Sequence, residues 1–329
     1  MSLEVGVDLD VLVYRSGFAA ETSRYKATNK DHKDIIYGDT KGEIKKFVDQ
    51  AGWEGRTDIV REVKPEPLAN CLHTVKLQLG KIVEATGADR MVGYLSGSQN
   101  FRLDRATLLP YKGNRALDGQ RAEWIAEGKW LYYLENTKFH GRGRPFHYND
   151  IKRYMMEQWD AQVCTLYEAD DALAMAQTRL GDEHIIASID KDLKQVTGKF
   201  YNFVKDEFDT VDALTATMNL EHQRLTGDMC DCIYGIKGFG EKKAIKTLAG
   251  LPEDMIEPAI LDEYIAWFDR IKTDEKYIAK KHPMDDFLVE NYTPEQYMEE
   301  VTDLVRLLRT EEEYEEMVAK MVGLGLNNS

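Results

Sequence analysis

Apolar positions in this chain gather into short runs that stop abruptly at acids. Val5-Gly6-Val7 leads into Asp8, and Ile185-Ile186-Ala187-Ser188-Ile189 leads into Asp190-Lys191-Asp192. Runs of this length without polar alternation are the pattern of strands buried on both faces, and Met91-Val92-Gly93-Tyr94-Leu95 predicts another. Helical spacing fills the intervals. Leu72 to Glu84 predicts an amphipathic helix, and Tyr148 to Trp159 predicts a second, packed on the sheet, with Asn149 or Asp150 as its N-cap. Glu168-Ala169-Asp170-Asp171 precedes Ala172-Leu173-Ala174-Met175-Ala176, which reads as a helix opening on acids that suit its positive end. Strands and helices in this order read as an open α/β sheet.

Asp8, Asp190 and Asp192 then fall near the carboxyl ends of strands, where open α/β sheets form their sites. A further acidic segment lies between Thr226 and Ala244: Asp228 and Asp231, three apart and read as neighbours on one helical face, precede Gly235, Gly238 and Gly240 and then Lys242 and Lys243. Those glycines let bare backbone N–H groups face an anion at the start of the following helix. Singly, each acid has an ordinary reading as a turn former, an N-cap or a dipole-matched helix start. Gathered in one place, they do not. Unit charges about 4 Å apart at an effective dielectric of about 20 repel by roughly 4 kcal/mol, so a cluster of Asp8, Glu168, Asp170, Asp171, Asp190, Asp192, Asp228 and Asp231 needs cations. Oxygen-only ligands select Mg²⁺ or Mn²⁺, and two such ions about 3.5–4 Å apart suit phosphodiester cleavage.

The order of motifs resembles the 5′-nuclease superfamily. It runs from Asp8 with Arg15, through Tyr111-Lys112-Gly113-Asn114-Arg115, Glu168-Ala169-Asp170-Asp171 and Ser188-Ile189-Asp190-Lys191-Asp192, to Gly227-Asp228 and Gly240-Glu241-Lys242. The chain looks like a phage-type 5′→3′ exonuclease, related to flap endonucleases and to the N-terminal nuclease domain of bacterial DNA polymerase I, over residues 1–250. The resemblance implies an α/β fold with a PIN-like central, mostly parallel sheet flanked by helices, a helical arch and a helix-three-turn-helix. It implies that the eight acids hold two Mg²⁺ or Mn²⁺ ions and that Lys112 and Arg115, at the foot of the arch, act on the scissile phosphate. Arg102 and the segment Gly235, Lys237, Gly238, Gly240, Lys242 and Lys243 are implied to grip DNA, with a K⁺ ion at the turn. Implied substrates are 5′ ends, flaps and junctions in DNA replication or recombination, with RNA–DNA hybrid as an alternative. The family's usual Asp before Phe101-Arg102 is absent from Ser96-Gly97-Ser98-Gln99-Asn100, leaving Asp10 as a substitute, and Cys232 stands where Asn is common. A PIN-type ribonuclease and a non-catalytic DNA-binding module stay open as further readings.

The implied organisation is a nuclease core over 1–222, with a hairpin-bearing insertion near 20–70 and an arch near 101–147, followed by the helix-three-turn-helix and C-terminal helices over 223–329. Residues 116–147 are the arch proper, with Gly141 to Pro145 as its exit. In the C-terminal region Val301, Leu304, Val305 and Leu308 keep helical spacing and mark a buried stripe. The chain has 329 residues and 43% hydrophobic composition, enough for a sizeable core. Its net charge of −15 does not exclude nucleic acid, because local basic stripes matter more than the total. One such stripe is Arg102, Arg105, Lys112, Arg115, Arg121, Lys129, Lys138, Arg142 and Arg144, interleaved with Phe101, Tyr111, Trp124, Trp130, Tyr132, Tyr133, Phe139 and Phe146. No run approaches the ~18 apolar residues of a membrane span, and no secretory signal opens the sequence. A cytoplasmic monomer is expected, in the host cytoplasm if phage-encoded. Cys71, Cys164, Cys230 and Cys232 lack zinc-site spacing and are expected to be reduced.

Overall fold

The computed structural model describes residues 2–116, 118–128, 143–278 and 283–326. Its strands, in chain order, are β1 (Glu4–Asp8), β2 (Glu21–Asn29), β3 (Ile35–Gly38), β4 (Thr57–Pro65), β5 (Arg90–Ser96), β6 (Gln162–Cys164), β7 (His184–Ala187), β8 (Gly198–Asn202), β9 (Glu207–Val211), β10 (Gly227–Asp228) and β11 (Ile233–Tyr234). By internal contacts the chain divides into two units, one of residues 1–8, 86–143 and 162–329, the other of residues 9–85 and 144–161.

The first unit holds a six-stranded sheet in the order β6-β5-β1-β7-β8-β9, parallel except for β9. β1 lies inside it and is buried along its whole length, which is why Val5-Gly6-Val7 shows no polar alternation. Parallel pairing with β5 and β7 brings the carboxyl ends of these three strands side by side. Helix Ala169–Leu180 presses small side chains onto the sheet, with Ala169, Ala172, Ala174 and Ala176 buried. Its approach leaves no room at Gly6, where a Cβ would stand 2.6 Å from His184 Nε2 and 2.8 Å from Leu173 Cδ2. The α/β class and the mostly parallel sheet expected from the sequence are what the chain forms.

The second core of this unit joins helix Ala213–Thr226 and the segment β10–β11 to the C-terminal helices, around Tyr264, Trp267, Phe268 and Tyr297. Val301, Leu304 and Val305 lie on helix Pro294–Val305 as predicted, while Leu308 follows the helix end and is buried with Phe101, Met317 and Met321. A boundary at 222/223 does not hold, because it cuts through helix Ala213–Thr226, whose Leu220 and Leu225 share this core.

In the second unit the 20–70 segment forms a three-stranded antiparallel sheet, β3-β2-β4, of which β2–β3 is the expected hairpin. Helix Lys41–Gln50 covers one face through Ile44 and Val48 against Ala27, Tyr25 and Ile36. Helix Tyr148–Trp159 forms where predicted, but His147 is its N-cap residue. It lies against helix Leu9–Ala19, at a crossing where Gly17 meets Pro145 and Ile151. Of the expected arch, residues 129–142 lie outside the described residues, and with them Lys129, Trp130, Tyr132, Tyr133, Lys138, Phe139, Gly141 and Arg142.

Candidate active site

The acids predicted to converge come from four segments of the first unit. Asp8 ends β1, buried, and its Oδ2 accepts a hydrogen bond from Ser188 Oγ at 2.7 Å. Ser188 follows β7 and itself accepts from the Asp190 N–H (3.0 Å), while Asp190 Oδ1 accepts from the Asp192 N–H (2.9 Å). One hydroxyl thereby fixes two acids from distant parts of the chain. Glu168 is the N-cap of helix Ala169–Leu180, which sets Asp170 in the first turn, and Ser96 Oγ accepts the Ala169 N–H (3.0 Å).

These acids act on one another electrostatically. Burial pushes the Asp170 carboxyl well above the usual range, and the charges of Asp8, Asp190 and Glu168 push it further, against Lys112. Asp192 is raised to about 7 by burial, then by Asp190 and Asp228, against Lys191. Asp190 acts on both, so two groups of carboxylates overlap at that residue. Carboxylates packed in this way stay ionised only with positive charge beside them.

The sign of this effect gives a prediction. A carboxyl whose folded pKa lies above its unfolded value destabilises the fold as pH rises between the two. For Asp192 that window runs from about 4 to about 7. In EDTA, the urea midpoint should therefore fall as pH rises from about 4 to about 7, by less in Asp192→Asn than in wild type. Identical pH profiles for the two proteins would reject this placement of Asp192.

Tyr111 to Arg115 closes the other side. The buried Tyr111 hydroxyl lies 2.6 Å from Glu168 Oε2 and 3.1 Å from Asp231 Oδ2. Lys112, left-handed at φ 52°, places Nζ 2.6 Å from Glu168 Oε1 and 3.6 Å from Asp231 Oδ2. Arg115 meets Asp231 Oδ1 at 2.6 Å. The Lys112 N–H donates to the Asp231 carbonyl (2.9 Å) and Asn114 Nδ2 to the Cys230 carbonyl (2.9 Å), lacing this loop to the 230–232 turn. Burial works against ionised Glu168, but the charges of Lys112 and Arg102 prevail and hold its carboxyl below the usual range. For Asp231 burial prevails over Lys112 and Arg115, and its carboxyl is raised.

Several expectations need correction. Asp171 is fully buried and its carboxylate is taken up within the protein: Arg102 grips it through two bonds (2.6 and 2.9 Å), and it also accepts from the Glu168 and Leu308 N–H groups. Successive helical residues point about 100° apart, so Asp170 and Asp171 do not share a direction. Arg102 is 2% exposed and also donates to the Leu304 and Arg306 carbonyls, so it has no surface to offer DNA. Arg105 is buried likewise against Asp303 and Glu300. Asp228 and Asp231 share no helix; Asp228 ends β10, and a turn closed by the Asp231 N–H to the Asp228 carbonyl (3.1 Å) brings them together. Lys237 Nζ is engaged by buried Asp285 at 3.3 Å. Asp10 lies in the second unit, in the first turn of helix Leu9–Ala19, where its charge acts on Lys152 and Tyr148.

The glycine-lysine turn forms between helices Ala213–Thr226 and Glu241–Leu248. Gly235 is required by packing, since a Cβ there would stand 2.1 Å from the Thr226 carbonyl carbon, and Gly238 by its φ of +85°. Lys242 and Lys243 are exposed, Lys243 lying over the Phe239 ring at 3.5 Å. Cys232 adopts φ 61°, the left-handed region that Asn tolerates well, and its sulfur accepts the Asn114 N–H at 3.3 Å.

The fit of a metal rests on donor chemistry. Asp8, Glu168, Asp170, Asp190, Asp192 and Asp228 offer oxygen alone, the donor set of a hard divalent cation. Among the described residues no three or more His, Cys, Asp or Glu side chains are already gathered to hold a metal ion. Nor is any helix among them long and apolar enough to cross a membrane.

No family model matches the chain. Over 111 residues, 30% of its length, it is 34% identical to the flap endonuclease Xni of Shewanella piezotolerans, and over 112 residues 30% identical to that of Shewanella pealeana. The chain spans 44% of each of these bacterial relatives. Among solved structures, the T5 D15 protein co-crystallised with metal ions superposes with TM-score 0.49 and 16% identity over 98% of this chain and 94% of that one. The catalytic core of Rad2 in complex with DNA substrate gives 0.41 and 14%, over 88% and 72%. These superpositions are too loose to carry an assignment. The sequence relatives are flap endonucleases, the family that the motif order implied.

Proposed function

We propose that this chain is a 5′→3′ nuclease of the flap-endonuclease kind that hydrolyses DNA phosphodiester bonds with two Mg²⁺ or Mn²⁺ ions. The observation that carries the reading is the half-buried Asp170, whose carboxyl is pushed up by burial and by the charges of Asp8, Asp190 and Glu168, against Lys112. Asp8, Glu168, Asp170 and Asp190 would hold one ion, and Asp190, Asp192 and Asp228 the other. When bound, such ions supply an activated water and stabilise the departing oxygen. Tyr111 and Ser188 hold Glu168, Asp8 and Asp190 in place. Lys112 balances the acids and stands ready for the negative charge of a phosphate, and Asp231 keeps Lys112 and Arg115 pointed at the site. The turn Gly235–Gly240 and Lys242 are suited to duplex phosphates, and its carbonyls to K⁺.

Cleavage of 5′-labelled flap, duplex and RNA–DNA hybrid substrates, with Mg²⁺ or with EDTA, tests the reading. Product from the DNA flap in Mg²⁺ alone is expected. Turnover in EDTA with no metal in the protein overturns it, and cleavage of the hybrid alone reassigns the substrate.

Two further outcomes are expected. Lys112→Ala lowers the single-turnover rate by about 10²-fold with little loss of DNA affinity, as for other groups that meet charge developing in a transition state; equal losses in both would make it a simple binding residue. Lys242→Ala reduces the slope of log affinity against log salt by about 0.9, one phosphate contact, whereas Lys237→Ala, already engaged by Asp285, leaves the slope unchanged.

A further inference from the structure

The segment that follows helix Pro294–Val305 is tied to the acid-bearing turn at 192–195 through Gln195, which is 1% exposed. The Leu307 N–H donates to Gln195 Oε1 (3.2 Å), and Gln195 Nε2 donates to the Val305 carbonyl (2.8 Å). A backbone N–H only donates and a carbonyl only accepts, so these two bonds leave the amide one orientation. Its second N–H meets Gln223 Oε1. Gln223 must then present its own Nε2, as a donor, to Asp192 Oδ1, which lies 2.5 Å away. Direction therefore passes from the 305–307 backbone through two amides to one carboxylate oxygen. Helix Ala213–Thr226, which carries Gln223, is held at this turn by a second bond, Asn219 Nδ2 to the Lys194 carbonyl at 2.9 Å.

We propose that Gln223, oriented through Gln195 by the segment 305–307, is a positioning residue for divalent-metal binding: it occupies Asp192 Oδ1 and leaves the other oxygen to the cation. This rests on the metal-site reading above. Partners that hydrogen-bond ligating carboxylates set their orientation, and their loss costs about 10- to 100-fold in metal affinity.

The test is Mn²⁺ binding to the full chain without DNA, followed by electron paramagnetic resonance, in wild type, Gln223→Ala, Asp192→Asn and the double variant. Gln223→Ala should weaken one class of site by about tenfold and leave the other unchanged. In the Asp192→Asn background it should have no further effect, a non-additivity that general loosening of the fold would not produce. Gln223→Met, which keeps the side chain's length and loses its donor, should match Gln223→Ala and serves if the alanine variant fails to fold. Wild-type Mn²⁺ affinity in folded Gln223→Met, or equal losses with and without Asp192, overturns the role of Gln223 and leaves the metal reading intact. No Mn²⁺ binding to wild type, or none lost in Asp192→Asn, overturns both.

Discussion

Asp170→Asn lowers single-turnover cleavage of a 5′-flap substrate by about 10³-fold or more and, in the same protein freed of metal, raises its stability to urea. The first effect follows from removing a carboxylate from between Asp8, Asp190 and Glu168, where it would hold a cation worth several kcal/mol of transition-state stabilisation. The second follows from the same geometry read without the cation, since an amide carries no charge for its three neighbours to repel. DNA affinity should change little, because Lys242 and the glycine turn are untouched. The two signs together are diagnostic: a residue that merely supports the fold would lose stability along with activity. A destabilised, metal-free Asp170→Asn would show that Asp170 is held by favourable contacts and is no metal ligand.

Arg102→Ala is expected to cost about 3–5 kcal/mol of folding stability, the range for removing one partner of a buried ion pair. It leaves the buried Asp171 charge without its cation and deprives the Leu304 and Arg306 carbonyls of a donor. Arg102→Lys should recover little, because an ammonium cannot reproduce the two-pronged grip on Asp171. Adding Asp171→Asn to Arg102→Ala should cost less than the sum of the single changes, since the stranded charge is then gone. Urea unfolding midpoints at constant slope measure all of this. Wild-type stability in Arg102→Ala, accompanied by weaker DNA binding, would return Arg102 to the DNA-contacting role its place in the sequence suggested.

The contrast between Asp170 and Asp171 marks how far the sequence could be read. Apolar runs ending in acids identify β1 and β7, and the Glu-Ala-Asp-Asp start identifies a helix, because burial on both faces and the helix dipole each leave a local signature. Which of two adjacent acids faces the site has none. It depends on the rotation of the helix about its axis, set by small alanines pressing on the sheet and by Leu308, 137 residues away. Asp228 and Asp231 are neighbours at i, i+3 in a helix or in a turn alike, so spacing alone could not tell them apart. Arg102 and Arg105 counted as a basic stripe because charge is visible in a sequence and burial against Asp171, Asp303 and Glu300 is not. Ser188 and Tyr111 lie inside motifs whose charged residues dominate the sequence signal. Gln223 gives no signal, since its partners lie 28 and 31 residues away and join it only through the folded backbone.

The place of β1 inside the sheet has a consequence for the chain while it is being made. Asp8 is the earliest of these acids to leave the ribosome, yet its strand has no neighbour until β5 emerges, and its hydroxyl partner Ser188 follows 180 residues later. The strap at 304–309 that secures Asp171 and Gln195 comes later still. Pairings this distant in sequence form only after long loops have closed. Whatever chemistry the acids perform is therefore withheld during translation, and nascent fragments carry the residues of the site without the site.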